Sequence, residues 1–251
     1  YLGVQGMFVG IFCAFISIEI YYRMEKTGIS IKLPEGVPPM VMKSFAALIP
    51  ASVTLMVFLV IRIIFSFTEF LNAHAFIYEI IQMPLMELGS GLPAILTALG
   101  LMQILWFFGL HGQTLVGSVI DPILNALSLQ NLEAFQAGLP LPNIINKSFM
   151  ETYTVSMGGS GMTLGLVFLA MFFAKSKQLK TTGRLAGPAG IFNVNEPVIF
   201  GFPIVMNPIF FIPWVLGPMI VLIFSYFVMK IGLVPITTGV YVPWTTPIFI
   251  S

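Results

Sequence analysis

Residues 92–127 read LPAILTALGLMQILWFFGLHGQTLVGSVIDPILNAL. The run is apolar and longer than the roughly 20 residues a helix needs to cross a bilayer. Its middle, Gly109-Leu110-His111-Gly112-Gln113, sets two glycines around an imidazole, so the helix is expected to break there. Two apolar limbs around a break suggest a re-entrant hairpin. Non-helical backbone at membrane depth is tolerated only where protein buries it or it lines a water-filled cavity. A second stretch, 187–213, has the same character, being apolar but interrupted by Asn193, Asn195, Glu196, Pro197, Pro203, Asn207 and Pro208. Broken helices of this kind bind solute in transporters. The two stretches predict an all-α membrane protein: polytopic transmembrane helices, two re-entrant hairpins and amphipathic helices.

Composition agrees. Of 251 residues, 57% are hydrophobic and 8% charged, with a mean hydropathy of +0.98. Soluble domains carry about a quarter charged residues, so lipid is the expected solvent for much of the surface. The formal charge of +1 offers no basic field for a nucleic-acid backbone, and nucleic acid is excluded as a partner. Cys13 is the one cysteine and lies in an apolar run, where a thiol behaves as a small hydrophobe. Disulfide scaffolds and cysteine–metal sites are excluded, and no cofactor is expected. The chain opens at Tyr1 without a leader and ends without a polar tail; the expectation is an internal piece of a longer protein.

Outward from the hairpins, Leu2–Tyr22 reads as a first span. The polar stretch Arg23–Pro39 follows and, with Arg23, Lys26, Lys32 and Lys43, reads as a cytoplasmic loop. Phe45–Phe67 is a second span, whose Arg62 must snorkel or face protein. Glu69–Glu87 alternates polar and apolar residues as an amphipathic helix, with His74 solvated or interfacial. Gln130–Lys147 reads as a polar connection and Glu151–Ala174 as a span containing Gly158-Gly159-Ser160-Gly161. Lys175, Lys177, Lys180 and Arg184 form a second cationic loop, and Trp214–Met229 is a further span with Trp214 as its interface anchor. The expected division is 1–68 for two helices and their loop, and 69–251 for a substrate-binding unit.

An ionisable group inside an apolar stretch costs several kcal/mol unless it is paired or faces water. Glu196, between Asn195 and Pro197 and near Asn193, is either a buried acid paired with a Lys or Arg or a carboxylate that recognises hydroxyls. Flanking amides suit the second reading, since they donate and accept as a sugar hydroxyl does. His111 is either satisfied in a tight turn or presented at its tip as a donor and acceptor, with Gln113 adding an amide. Trp106 and Trp244 are either interfacial belt residues or flat faces for the apolar side of a pyranose.

Four separated motifs carry a family resemblance: Phe108-Gly109-Leu110-His111-Gly112; Gly158-Gly159-Ser160-Gly161-Met162-Thr163-Leu164-Gly165; Phe192-Asn193-Val194-Asn195-Glu196-Pro197-Val198-Ile199-Phe200-Gly201-Phe202-Pro203; and Val242-Pro243-Trp244-Thr245-Thr246-Pro247. Together with Leu33-Pro34-Glu35-Gly36-Val37-Pro38-Pro39, they resemble the enzyme IIC permease of the lactose/cellobiose/diacetylchitobiose branch of the phosphotransferase system. The resemblance implies a bacterial cytoplasmic-membrane protein that carries a β-linked disaccharide of diacetylchitobiose or cellobiose type and presents a hydroxyl to a phosphorylated IIB partner. It further implies that His111 and Glu196 lie beside that hydroxyl, with Glu196 as its base. Asn195 would bind the sugar, with Asn193 and Gln113 completing the set, and Trp106 and Trp244 would stack on its rings. The phosphoryl-donor cysteine belongs to IIB, because Cys13 has no electropositive, exposed setting. A homodimer is implied for the full-length protein, its main contact formed by N-terminal helices that this chain lacks. The alternative is an ion-coupled secondary transporter for a small polar solute, which also uses broken helices and an intramembrane acid.

Overall fold

The computed structural model of the chain describes residues 6–31, 34, 36–248 and 250. Its regular elements are helices throughout. They divide into two units that meet in sequence at Pro84 and Leu85, later than the division expected after residue 68, so most of the amphipathic segment belongs to the first unit.

In the first unit, α1 (Met7–Lys26) packs on α3 (Leu48–Ser66), which continues from α2 (Pro39–Ala46). Pro39–Ser66 is long and apolar enough to cross a membrane, with Arg62 exposed one turn from its end. The expected first span begins at Leu2, which lies outside the described residues, as do Lys32, Leu33 and Glu35 of the polar loop. The amphipathic segment starts at Ala73 rather than Glu69, because Asn72 caps it by accepting a hydrogen bond from Ala75 N at 2.9 Å. It runs through α4 (Ala73–Ile77), a π turn at Tyr78–Gln82 and α5 (Met83–Gly89). Phe76 docks it on Phe65 and Phe70.

The second unit opens with α6 (Leu92–Phe107) and α7 (Gly112–Gln136), the two limbs of the expected break. Gly109, at φ +79°, ends α6 in a Schellman motif. Gly109 N donates to Trp106 O and Leu110 N to Leu105 O, both at 2.9 Å, which satisfies carbonyls that a membrane helix end would otherwise leave bare. The limbs then close tightly, for a Cβ on Gly112 would strike the Met102 carbonyl. α7 continues to Gln136, well into the stretch expected as a polar connection.

Two expectations fail in the middle of the unit. Glu151–Ala174 is not one span: α8 (Lys147–Thr154) ends, the chain turns, and α9 (Leu164–Phe172) begins afresh. Gly158, Gly159, Gly161 and Met162 all have positive φ, from +55° to +94°, which no α-helix accommodates. The second cationic loop is largely helix as well. Lys177, Lys180 and Arg184 lie on α10 (Lys177–Ile191), capped by Ser176. Its small residues Gly183, Ala186, Gly187 and Gly190 are buried, and Gly183 sits against Ala170 and Met171 of α9. Small residues at such spacing let helices approach in lipid, where no hydrophobic force drives them together.

The chain then makes a tight turn into the short α11 (Glu196–Gly201) before α12 (Pro208–Lys230). α12 is the second helix, among the described residues, long and apolar enough to cross a membrane by itself. Ile209, Ile212, Leu216, Ile220, Phe224 and Phe227 form an exposed stripe along it, while Trp214, Val215, Pro218, Leu222 and Met229 face inward. Such a stripe in water would be an aggregation surface, and in a bilayer it meets lipid. Trp214 is no interface anchor. It is buried among Trp106, Val167, Phe202 and Val215, and its Nε1 donates to Gln103 O at 2.9 Å. Pro208 at the helix start moves the N-terminus six residues upstream of Trp214, so the indole lies inside the helix and turns toward α6.

Gly161 lies directly under the Trp214 ring at φ +78°, so Gly161→Ala adds a Cβ where both backbone and ring refuse it. The expected cost is about 2–4 kcal/mol, read as a fall of several degrees in melting temperature in detergent. Gly165→Ala, on open helix surface, should leave that temperature unchanged or raise it slightly.

Candidate functional site

A cavity of about 390 Å³ opens within the second unit, at the low end of ligand-site volumes. The following residues line it: Met102, Trp106, His111, Gln113, Thr114, Asp121, Lys147, Met150, Glu151, Thr154, Val155, Gly159, Ser160, Asn193, Asn195, Glu196 and Trp244. All seven site residues expected from the sequence are present, so four motifs scattered over more than a hundred residues converge on one space.

His111 is the N-cap of α7. Its Nδ1 accepts from Thr114 N at 3.2 Å and lies 2.8 Å from Thr114 Oγ1. With Nδ1 accepting from the backbone, a neutral ring carries its proton on Nε2, which becomes a donor. The imidazole packs on Trp106, ring centroids 4.4 Å apart. Trp106 is only 3% exposed, and its Nε1 donates to Gln113 Oε1 at 2.6 Å. In this arrangement Gln113 orients Trp106, and Trp106 holds His111 in place. Trp244, 45% exposed, presents more free ring than Trp106 does.

Asn193 and Asn195 do structural work that their sequence setting did not reveal. Asn193 is buried at φ +62°, a left-handed conformation that asparagine tolerates better than most residues. Its Oδ1 accepts from Gly158 N at 3.0 Å, and its Nδ2 donates to Trp244 O at 2.7 Å and Thr246 O at 3.0 Å. One carboxamide thus ties the glycine turn, the turn before α11 and the Trp244 turn together. Asn195 Nδ2 donates to Ser160 O, a fit that requires Gly159, where a Cβ would overlap the Asn195 side chain. Ser160 Oγ in turn accepts from Gln103 Nε2 at 3.2 Å.

Glu196 follows at the first position of α11. Its Oε2 is buried and has no hydrogen-bond partner among the described residues. The paired-acid alternative is therefore not what the geometry shows: no ion pair to Glu196 occurs among the described residues. A buried carboxylate oxygen without a donor costs about 1–3 kcal/mol or more, and hydroxyl donors from a ligand would remove that cost.

A charged group on the same cavity escaped the sequence reading. Lys147 Nζ lies 2.8 Å from Asp121 Oδ1 and 3.3 Å from Glu151 Oε1. Asp121 is an ionisable residue within the apolar 92–127 stretch, the very signal that singled out Glu196. Lys147 and Glu151 are four apart on α8, a spacing that places them on one helix face.

An exposed apolar stripe on a spanning helix and a polar cavity in the same unit are the marks of a membrane protein with a candidate site for a polar solute. A family model described as "Phosphotransferase system, EIIC" matches residues 1–218, and the chain belongs to that family. It is 56% identical over 250 residues to the oligo-β-mannoside-specific EIIC component of Bacillus subtilis (strain 168), covering 100% of this chain and 57% of that protein. Against the cellobiose-specific EIIC component of Geobacillus stearothermophilus it is 45% identical over 253 residues, 100% of this chain and 56% of the relative. The crystal structure of the transporter ChbC, the IIC component from the N,N'-diacetylchitobiose-specific phosphotransferase system, superposes with a TM-score of 0.92 at 47% identity, over 99% of this chain and 57% of that one. The chain therefore spans somewhat over half the length of the relatives it matches.

Asn193→Asp keeps the shape but turns two donated hydrogen bonds into carboxylate–carbonyl repulsion. A destabilisation of about 3 kcal/mol or more is expected, visible as a lowered detergent melting temperature together with faster proteolysis of the segment around Trp244. His111→Asn keeps a good helix cap and removes the Nε2 donor, so it should hold the melting temperature while weakening ligand binding.

Proposed function

We propose that the chain forms the sugar-binding and translocating part of an EIIC permease in the bacterial cytoplasmic membrane. It carries a β-linked disaccharide of the cellobiose or diacetylchitobiose type for phosphorylation by a phosphorylated IIB component. The observation that carries this reading is Glu196, an acid with no ion pair among the described residues, lining one cavity with His111. Disaccharide names among the relatives, cellobiose and N,N'-diacetylchitobiose, support the substrate class. In the full-length protein we propose a homodimer embedded in lipid, working within a phosphoenolpyruvate-dependent system.

Trp244, the more exposed indole, offers its face to one sugar ring, and the Trp106–His111 pair lines the same cavity. A hydroxyl beside Glu196 donates to the carboxylate and accepts from His111 Nε2–H. Phosphoryl transfer is mostly positioning and charge stabilisation, with one group taking the proton. As the S–P bond of a IIB phosphocysteine breaks and the O–P bond to the sugar forms, the hydroxyl proton passes to Glu196. The cysteine leaves as thiolate, and the sugar leaves as its phosphate.

Glu196→Gln tests the role of the acid. It keeps the size and an acceptor oxygen but cannot take the proton, so disaccharide binding should weaken by about tenfold or less while phosphorylation by IIB falls by about 10²-fold or more. Full phosphorylation in the variant removes the base assignment. In vesicles the wild type should deliver sugar phosphate only when phosphorylated IIB is supplied, whereas accumulation of free sugar on a proton or sodium gradient would replace this reading with a coupled carrier.

A further inference from the structure

We propose that the charge layout of the cavity makes it a filter for uncharged glycans and drives out the phosphorylated product: Asp121, Glu151 and Glu196 set three carboxylates against a single ammonium, Lys147, already committed to two of them. The inference rests on the phosphoryl-transfer reading above and adds to it how the product leaves.

The charges follow from the lining. Among the described residues that line the cavity, Lys147 is the one Lys or Arg. Three acids share the cavity with one ammonium, and after Glu196 has taken the hydroxyl proton Asp121 and Glu151 still outnumber Lys147 by one negative charge. A free lysine would be a natural phosphate anchor. This one donates to Asp121 at 2.8 Å and sits 3.3 Å from Glu151, so a phosphate could take its charge only by displacing carboxylates. The amides and hydroxyls of the lining, Gln113, Thr114, Thr154, Ser160, Asn193 and Asn195, are neutral.

Sugar hydroxyls suit such walls because each can donate to a carboxylate as well as accept. A phosphate monoester carries about −1.5 to −2 charges at neutral pH and its charged oxygens only accept, so the acids of the lining repel it. The lysine and both its acids are mostly shielded, with side-chain exposures of 19%, 35% and 17% for Lys147, Asp121 and Glu151. Salt screens such groups less than surface charges. Repulsion also acts on the phosphoryl group as it arrives, but that group is held by the partner protein's own interface. Once the S–P bond has broken, only the cavity holds the new phosphate. The repulsion therefore acts on the product after transfer and leaves the neutral substrate untouched.

The test is equilibrium binding of cellobiose and cellobiose 6′-phosphate to the purified full-length permease in detergent. In the wild type the phosphate should bind about 100-fold more weakly than the neutral sugar. Glu151→Gln and Asp121→Asn should each narrow that ratio by about tenfold, and Lys147→Gln should widen it. Because the readout is the ratio within one variant, any loss common to both ligands cancels. Should a variant fail to fold, the wild-type ratio and its narrowing between about 0.05 M and about 0.5 M salt still decide. A wild-type phosphate affinity within threefold of cellobiose, on the order of 1 kcal/mol or less, overturns the filter while leaving the permease reading intact. Wild-type protein that binds neither ligand overturns both.

Discussion

The site depends on one side chain amide. Asn193 accepts from the glycine turn before α9 and donates to two carbonyls of the turn that carries Trp244, while its own backbone makes the left-handed turn into α11. Three turns separated in the chain by α9 and α10 and by α11 and α12 are thereby tied together. In a membrane protein this is an economical use of hydrogen bonding: buried loop backbone must be satisfied by protein, and the residues that satisfy it also set the cavity's shape. Glu196, three positions on, inherits its place from that lock.

Close approach is the second constraint. Gly112 lies on the Met102 carbonyl, Gly159 on Asn195, and Gly161 on the Trp214 ring. In each case a hydrogen atom stands where any Cβ would collide. Helices in lipid associate through packing and hydrogen bonds rather than through water exclusion. The small-residue face of α10 and the indole of Trp214 bonded to Gln103 O fill the role that a large apolar core has in a soluble domain.

Within this frame the cavity holds two kinds of acid. Asp121 and Glu151 are clasped by Lys147 and contribute charge without freedom to move. Glu196 has an oxygen with no hydrogen-bond partner among the described residues. The difference is environmental, since all three are carboxylates on one cavity and only two of them face the lysine. Membership of the EIIC family gives this division its setting, and the proposed function uses it: a neutral solute is held and an anion released.

Much of this was legible in the chain alone. Apolar runs of spanning length, the break at Gly109–Gln113 and the lone Glu196 among amides follow from local chemistry, because a bilayer punishes polar groups residue by residue and a sequence shows which ones it keeps. The convergence of His111, Asn195, Glu196 and Trp244 was expected from their motifs. Other features needed the third dimension. Four successive choices of backbone conformation break the Glu151–Ala174 run, and apolar composition does not record φ. Trp214 is buried, because Pro208 starts α12 early and rotates the indole inward. Lys147 meets Asp121 across a separation of 26 residues. Asn193 is a tie between chain segments rather than simply a sugar ligand in waiting. Hydropathy and charge are properties of single residues and can be read in order; burial and partnership depend on neighbours, and only the tertiary structure brings the neighbours together.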